Sequence, residues 1–269
     1  MTRRDWALML TLGGLATVAG IVLCLMIDWF PGQGADEAKQ IDTLYDVLLI
    51  VSVPIFVLVM TVVIFSVWKW RAKPGDMSDG EPIHGNTLLE VIWVTIPTIL
   101  VTGLAVYGWI VLDDIEDRKP DTLIVNVSGQ QFAWSFRVPK QAGVPKQFAT
   151  TELQLPRGRP VEFDIRSSDV IHSFWIPDFR LKSDAVPGLK TQIRVKPSEL
   201  GPHDIVCAEL CGLGHSTMRQ TVRVVEPKAF EDWAGKQKGS GGSGEQAAVA
   251  PDTHTLADAA SISKVGAVQ

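Results

Sequence analysis

Cys207-Ala-Glu-Leu-Cys-Gly-Leu-Gly-His-Ser-Thr-Met218 gathers two thiols, an imidazole, a thioether and a carboxylate within 12 residues. Soft sulfur donors with imidazole suit copper, and a Cys, His and Met set on one loop is the ligand pattern of β-sandwich electron-transfer sites. A mononuclear site of that kind needs one cysteine and a second histidine from an earlier strand. His172, in Val170-Ile-His-Ser-Phe-Trp175, is placed to supply it. The extra cysteine changes the reading, because two thiolates four residues apart can both bridge a pair of coppers and leave one histidine for each metal. Sharing one electron over two metals in a rigid frame keeps geometric change on redox small, as fast electron transfer requires. From these residues alone, two other readings stay open. Cys207 and Cys211 could form a disulfide in an oxidising compartment, and zinc takes Cys2His2 sets. Neither uses Met218 or accounts for Glu209 between the cysteines. His203 reads as a surface or packing histidine, and His84 and His254 have no ligand partners nearby in sequence.

Around this loop the chain runs in short alternating segments. Val161, Phe163 and Ile165 alternate with polar residues, as do Ile193 with Val195 and Val222 with Val224. A period of two marks half-buried strands. Strands are predicted at 122–128, 132–138, 149–155, 160–166, 171–176, 191–196, 203–207 and 219–225. Turn-formers such as Pro139, Pro156-Arg157-Gly158, Pro187-Gly188 and Gly201-Pro202 separate them. That pattern predicts an antiparallel sandwich or barrel over residues 118–235, closed by a short helix at 228–234. From Gly235 the composition becomes that of a flexible Gly/Ser linker, so 236–269 is predicted to be linker and disordered tail.

The 112 residues at the N-terminal end are strongly apolar. Trp6–Ile27 carries no charge, Leu44–Trp68 carries only Asp46, and in Leu88–Leu112 Glu90 is the only ionisable side chain apart from Tyr107. Each is long enough to cross about 30 Å of hydrocarbon as a helix. Residues 1–43 therefore read as a transmembrane helix or signal segment with an outer loop, and 44–117 as a two-helix transmembrane hairpin. Arg3 and Arg4 precede the first segment, and Lys69, Arg71 and Lys73 follow the second, whereas the 28–43 loop carries Lys39 alone. The positive-inside rule then places the N-terminus and the 69–87 loop in the cytoplasm, with everything after about Asp113 outside. A net charge of −5 and a pI near 5.6 argue against nucleic acid as a partner.

With these residues in view, about 40 to 233 resembles the cytochrome c oxidase subunit II family. The most specific part is C-x-E-x-C-x-x-x-H-x-x-M with the upstream Asp169-Val-Ile-His-Ser-Phe174. The resemblance implies an all-β cupredoxin-like Greek-key sandwich holding a binuclear Cu(A) centre. Its ligands would be His172, Cys207, Cys211, His215, Met218 and the backbone carbonyl of Glu209, and the Glu209 side chain would bind a Mg²⁺ shared with subunit I. His84-Gly-Asn-Thr-Leu-Leu-Glu-Val-Ile-Trp93 matches the start of the family's second conserved helix, where Glu90 aligns with a glutamate at the mouth of a proton channel. Read from the residues, a carboxylate one turn inside a cytoplasmic helix end suits proton uptake, or is simply favoured there by the macrodipole. Leu181-Lys-Ser-Asp-Ala-Val-Pro-Gly188 resembles a loop facing subunit I.

One stretch departs from the family. Gly129-Gln-Gln-Phe-Ala-Trp134 stands where relatives carry G-H-Q-W-Y-W, whose first Trp receives the electron. Electron input would therefore pass by Phe132 and Trp134. Arg137, Lys140 and Lys146 follow where many relatives present carboxylates, so the expected donor is a membrane-bound or acidic cytochrome c. The implied function is electron input to a respiratory haem–copper oxidase in a bacterial-type cell membrane. Haem would lie only in partner subunits, with subunits I and III alongside and membrane lipid around the helices. The rival readings are the copper subunit of a nitric oxide reductase and a copper-delivery protein.

Overall fold

The computed structural model describes residues 2–239 apart from 73, 81 and 83. The predicted tail from 240 on, with His254, and the topology-bearing Lys73 lie outside the described residues. Three long helices come first: α1 (Arg3–Met26), α2 (Asp36–Lys69) and α3 (Thr87–Glu116). All three are long and apolar enough to cross a membrane. Their starts follow local chemistry. Thr2 and Asp5 form a reciprocal capping box at α1. At α3 the Asn86 side chain accepts from the Leu89 amide, while Glu90 Oε1 accepts from the Asn86 amide. Helix α2 begins eight residues before Leu44, with Asp36 and Glu37 in its first turn, where the helix dipole favours carboxylates. The expected boundary at residue 43 therefore falls inside a continuous helix.

Helices α1 and α2 pack antiparallel along a seam of small residues. A Cβ at Gly20 would come within 2.8 Å of Val53 Cγ1, and one at Gly13 within 3.4 Å of Thr61 Oγ1. Asp5 and Lys69 close the same seam at 3.3 Å. Close backbone approach of this kind is what glycine permits between membrane helices.

Ten strands follow: β1 (Leu123–Gln130), β2 (Ala133–Val138), β3 (Phe148–Thr150), β4 (Leu153–Pro156), β5 (Val161–Ser167), β6 (His172–Ile176), β7 (Leu181–Ala185), β8 (Thr191–Val195), β9 (Gly201–Cys207) and β10 (Arg219–Val225), before α4 (Pro227–Lys236). They form two five-stranded sheets, β3-β2-β1-β5-β8 and β4-β10-β9-β6-β7. Leu123, Val125, Val127, Phe136, Phe163 and Phe174 are among the side chains that fill the space between them. The sandwich is as the alternation implies, with three differences. The single strand predicted at 149–155 is two, because the Thr150 hydroxyl bonds the backbone of Glu152 and turns the chain into the other sheet. That crossing leaves β1 beside β5 and β10 beside β4 in parallel, within an otherwise antiparallel fold. Strand β7 is additional. Its Leu181-Lys-Ser-Asp-Ala composition hides an edge strand, whose solvent side asks for no apolar residue.

The segment leading into α2 belongs to the sandwich. Gly34 donates to the Asp178 carbonyl and its own carbonyl accepts from Ser198, while Ala35 is fully buried in the core.

Candidate metal centre

Three strands deliver the donors to one end of the second sheet. On β6, His172 shares the inward parity of Phe174 and Ile176, so its ring enters the core and is fully buried. On β9, His203, Ile205 and Cys207 share the inward side. The loop from 208 to 217 then returns so that Cys207 donates its amide to the Met218 carbonyl, which places the thioether at the start of β10. The Ala208 amide donates to the Ser173 carbonyl and ties the loop to β6.

The donor atoms converge. Cys207 Sγ lies 3.8 Å from Cys211 Sγ, 3.9 Å from His172 Nδ1 and 3.3 Å from the Glu209 carbonyl oxygen. Cys211 Sγ lies 3.7 Å from His215 Nδ1 and 3.8 Å from Met218 Sδ. Each thiol thus faces the other and one imidazole, an arrangement two bridged metal ions would fit. Both cysteines are free thiols. The thioether, a soft donor outside zinc's usual set, suits copper. Burial, with Cys207 alongside, pushes the Cys211 thiol up to about 11, so a metal entering here must displace a proton.

Residues that are not donors hold the donors. Asp169 Oδ1 contacts His172 Nε2 at 2.8 Å, which leaves Nδ1 to face the thiols. Partial burial alone would raise the Asp169 carboxyl, but the Gln131 amide, the His172 ring and the Val170 amide together hold it down to about 2. Gln131 also donates its side-chain amide to the Cys211 carbonyl at 2.6 Å. Neither Asp169 nor Gln131 stands out in the sequence reading, although Asp169 opens the quoted Asp-Val-Ile-His run.

The two aromatic residues expected at the electron input have different places. Phe132 is 39% exposed. Its ring lies against the ligand loop so closely that a Cβ at Gly214 would come within 2.5 Å of it. Trp134 is fully buried and meets the His172 ring edge-on at 5.8 Å, so a surface role is closed to it. The basic loop also needs correction. Strand β2 runs away from the ligand loop, and the Gln141 side chain pairs with Ile124 at the start of β1. Arg137, Lys140 and Lys146 therefore lie toward the opposite end of the sandwich, Val138 being roughly 17 Å along β2 from Ala133. Exposed apolar side chains on or beside this loop are Phe132, Leu210 and Leu213, with the exposed Glu209 and Arg219 among them.

Glu209 presents an exposed residue on the loop while its carbonyl turns inward. Glu90 is exposed in the first turn of α3. His203 is a packing residue, bonded to Asp178 at 2.7 Å and to the Glu199 carbonyl, and His84 is exposed.

The chain is similar to known proteins. The family profile described as "Cytochrome C oxidase subunit II, periplasmic domain" matches residues 141–225. The companion profile, "Cytochrome C oxidase subunit II, transmembrane domain", matches 10–111. Cytochrome c oxidase subunit 2 of Thermostichus vulcanus is 30% identical, over 80% of this chain and 82% of that protein. The protein of the same name from Synechocystis sp. is 27% identical, over 81% of each. Among solved structures, the periplasmic domain of subunit II of cytochrome oxidase from Bradyrhizobium japonicum is 28% identical. It covers 44% of this chain and 95% of that one, with a TM-score of 0.41. The two family profiles and the 30% identical relative from Thermostichus vulcanus lead to one assignment: the chain belongs to the cytochrome c oxidase subunit II family.

Proposed function

We propose that this chain is the electron-accepting subunit of a respiratory haem–copper oxidase. It takes electrons one at a time from a cytochrome c and hands them to haem in subunit I, where oxygen is reduced to water with proton translocation. The observation that carries this reading is the convergence of two thiols, two imidazole nitrogens, one thioether and one carbonyl at a single buried end of the sandwich. A copper pair held there supplies one-electron exchange with little change of geometry. His172, Cys207, Glu209, Cys211, His215 and Met218 would hold it, the last five on one loop and its flanking strand ends.

The protein's own residues do the rest. Asp169 and Trp134 fix the His172 ring, and Gln131 fixes the loop at Cys211. Phe132, Leu210 and Leu213 form an apolar rim on which a cytochrome c would dock. Because the basic loop is remote, it no longer argues for an acidic or membrane-bound donor. The exposed Glu209 carboxylate would share a Mg²⁺ with subunit I, and the exposed Glu90 would take protons from the cytoplasmic side. That side is assigned by Arg3, Arg4, Lys69 and Arg71, with the sandwich on the outer face. Subunits I and III would pack against the exposed apolar faces of the helices.

The test is the assembled complex carrying His215→Ala. Lost oxygen turnover with haem content retained is the expected result. Turnover at the unsubstituted rate would overturn the reading.

A further inference from the structure

Arg180 lies outside the proposed metal centre, yet its guanidinium is the most fully engaged side chain among the described residues. Nε and Nη2 donate to the two carboxylate oxygens of Asp42 at 2.8 and 3.0 Å. Nη1 donates to the carbonyls of Gly32 and Pro177 at 3.2 and 2.9 Å, and Nη2 also to that of Pro31 at 2.7 Å. All five N–H groups of an arginine are thereby used. The side chain is only 5% exposed, and its carbon centre stands 4.8 Å from the Phe30 ring centroid. The backbone at this position is left-handed, φ 58°, a conformation usually left to glycine.

What the side chain joins is informative. Pro177 and Arg180 follow directly on β6, whose other end carries His172. Pro31, Gly32 and Asp42 belong to the connection into α2 and to its first turns. A second junction lies on the other sheet. Arg194 of β8 donates to Glu162 at 2.7 Å and to the carbonyl of Glu116, the last residue of α3. A body tethered only through α3 can swing about the short connection between Glu116 and β1. The segment into α2 adds a second tether, made by the backbone bonds of Gly34 and Asp36 to Asp178, Ser198 and Lys196, by the Lys196–Asp36 ion pair and by the buried, bidentate Arg180–Asp42 pair, which must break if the body is to swing. Strand β6 is the rigid link that carries this constraint to a metal ligand.

We propose that Arg180, with Asp42, is a positioning residue for electron transfer: the pair sets the orientation of the metal-bearing sheet on helix α2, and hence the distance from the ligand loop to the electron acceptor in the partner subunit. This rests on the reading of the chain as an electron-accepting oxidase subunit.

The experiment uses the purified, assembled oxidase with Arg180→Lys and, separately, Asp42→Asn. Lysine keeps the charge but cannot make a bidentate planar pair. Asparagine keeps the shape and loses the charge. Three quantities are read: the optical and spin-resonance signature of the copper site, KM for the cytochrome donor, and the rate of electron transfer from the copper site to haem after flash reduction. Expected in both variants are an unchanged signature and KM with intersite transfer slowed several-fold, because electron transfer between fixed sites falls steeply with their separation. Unaltered transfer rates overturn the inference. So does loss of the copper signature or of assembled complex in both variants, since the pair would then serve folding alone. Absence of a two-copper signature from the unsubstituted oxidase would instead overturn the functional reading beneath it.

Discussion

His172 illustrates how much of the behaviour of a proposed ligand is decided by residues outside the donor set. Its Nε2 is occupied by Asp169 and its ring is braced by Trp134, so Nδ1 is the nitrogen left for coordination. Asp169 is a stability element as well. Its folded value of about 2 lies below the ordinary 3.8, so its contribution is fully present above about pH 4 and fades as pH falls toward 2. With solvent screening allowed for, that contribution is about 1 kcal/mol. Asp169→Asn should therefore lower the melting temperature of the sandwich at pH 7, and the difference from the unsubstituted chain should shrink in melts run progressively nearer pH 2. A difference independent of pH would assign the aspartate a purely steric role. The sulfur, imidazole and thioether donors are legible in the sequence because their chemistry is peculiar to metal sites. Asp169 and Gln131 are ordinary polar residues until the fold brings them to the ligands.

At the scale of elements, the apolar runs mark the membrane helices well, and the alternating runs mark most strands. The errors fall where polarity and local geometry part company. Edge strand β7 carries Lys182 and Asp184 on its exposed positions and leaves little apolar signal. Helix α2 continues beyond its apolar run because charged residues are comfortable in a first turn. The α1–α2 seam is a further property of elements rather than of residues. Replacing Gly20 by Leu should overfill it at a cost of about 1–3 kcal/mol. The check is crosslinking in membranes of a chain carrying Asp5→Cys and Lys69→Cys, which should proceed readily and drop sharply once Gly20→Leu is added. Persistent crosslinking would show that α1 finds α2 by other contacts.

For the whole molecule, the sandwich and the membrane helices share one structure through the segment at 31–42. Ala35 is fully buried in the β-core, and Gly34 leaves no room for a Cβ beside Phe179 and His203. A soluble fragment of residues 118–239 lacks that segment and should be less stable than the sandwich in the full chain. Adding a synthetic peptide of residues 28–43 should raise the fragment's melting temperature by roughly 3–5 °C, equivalent to about 1 kcal/mol in a domain of this size. A melting temperature unmoved by saturating peptide would mean that the core closes without it.

The sequence by itself determined the class of the molecule: three apolar spans, a β-sandwich beyond them and the cluster of sulfur and imidazole donors on which the copper proposal rests. Those are local properties, set by run length, by a period of two and by the spacing of ligands on one loop. The tertiary structure decided which distant residues meet. It buried Trp134, moved the basic loop to the far end from Phe132, and joined Arg180 to Asp42 across 138 positions. Hydrophobic periodicity specifies which face of a strand turns inward, but not which strand lies beside it. The support of the site depends on that pairing, and only the folded chain supplies it.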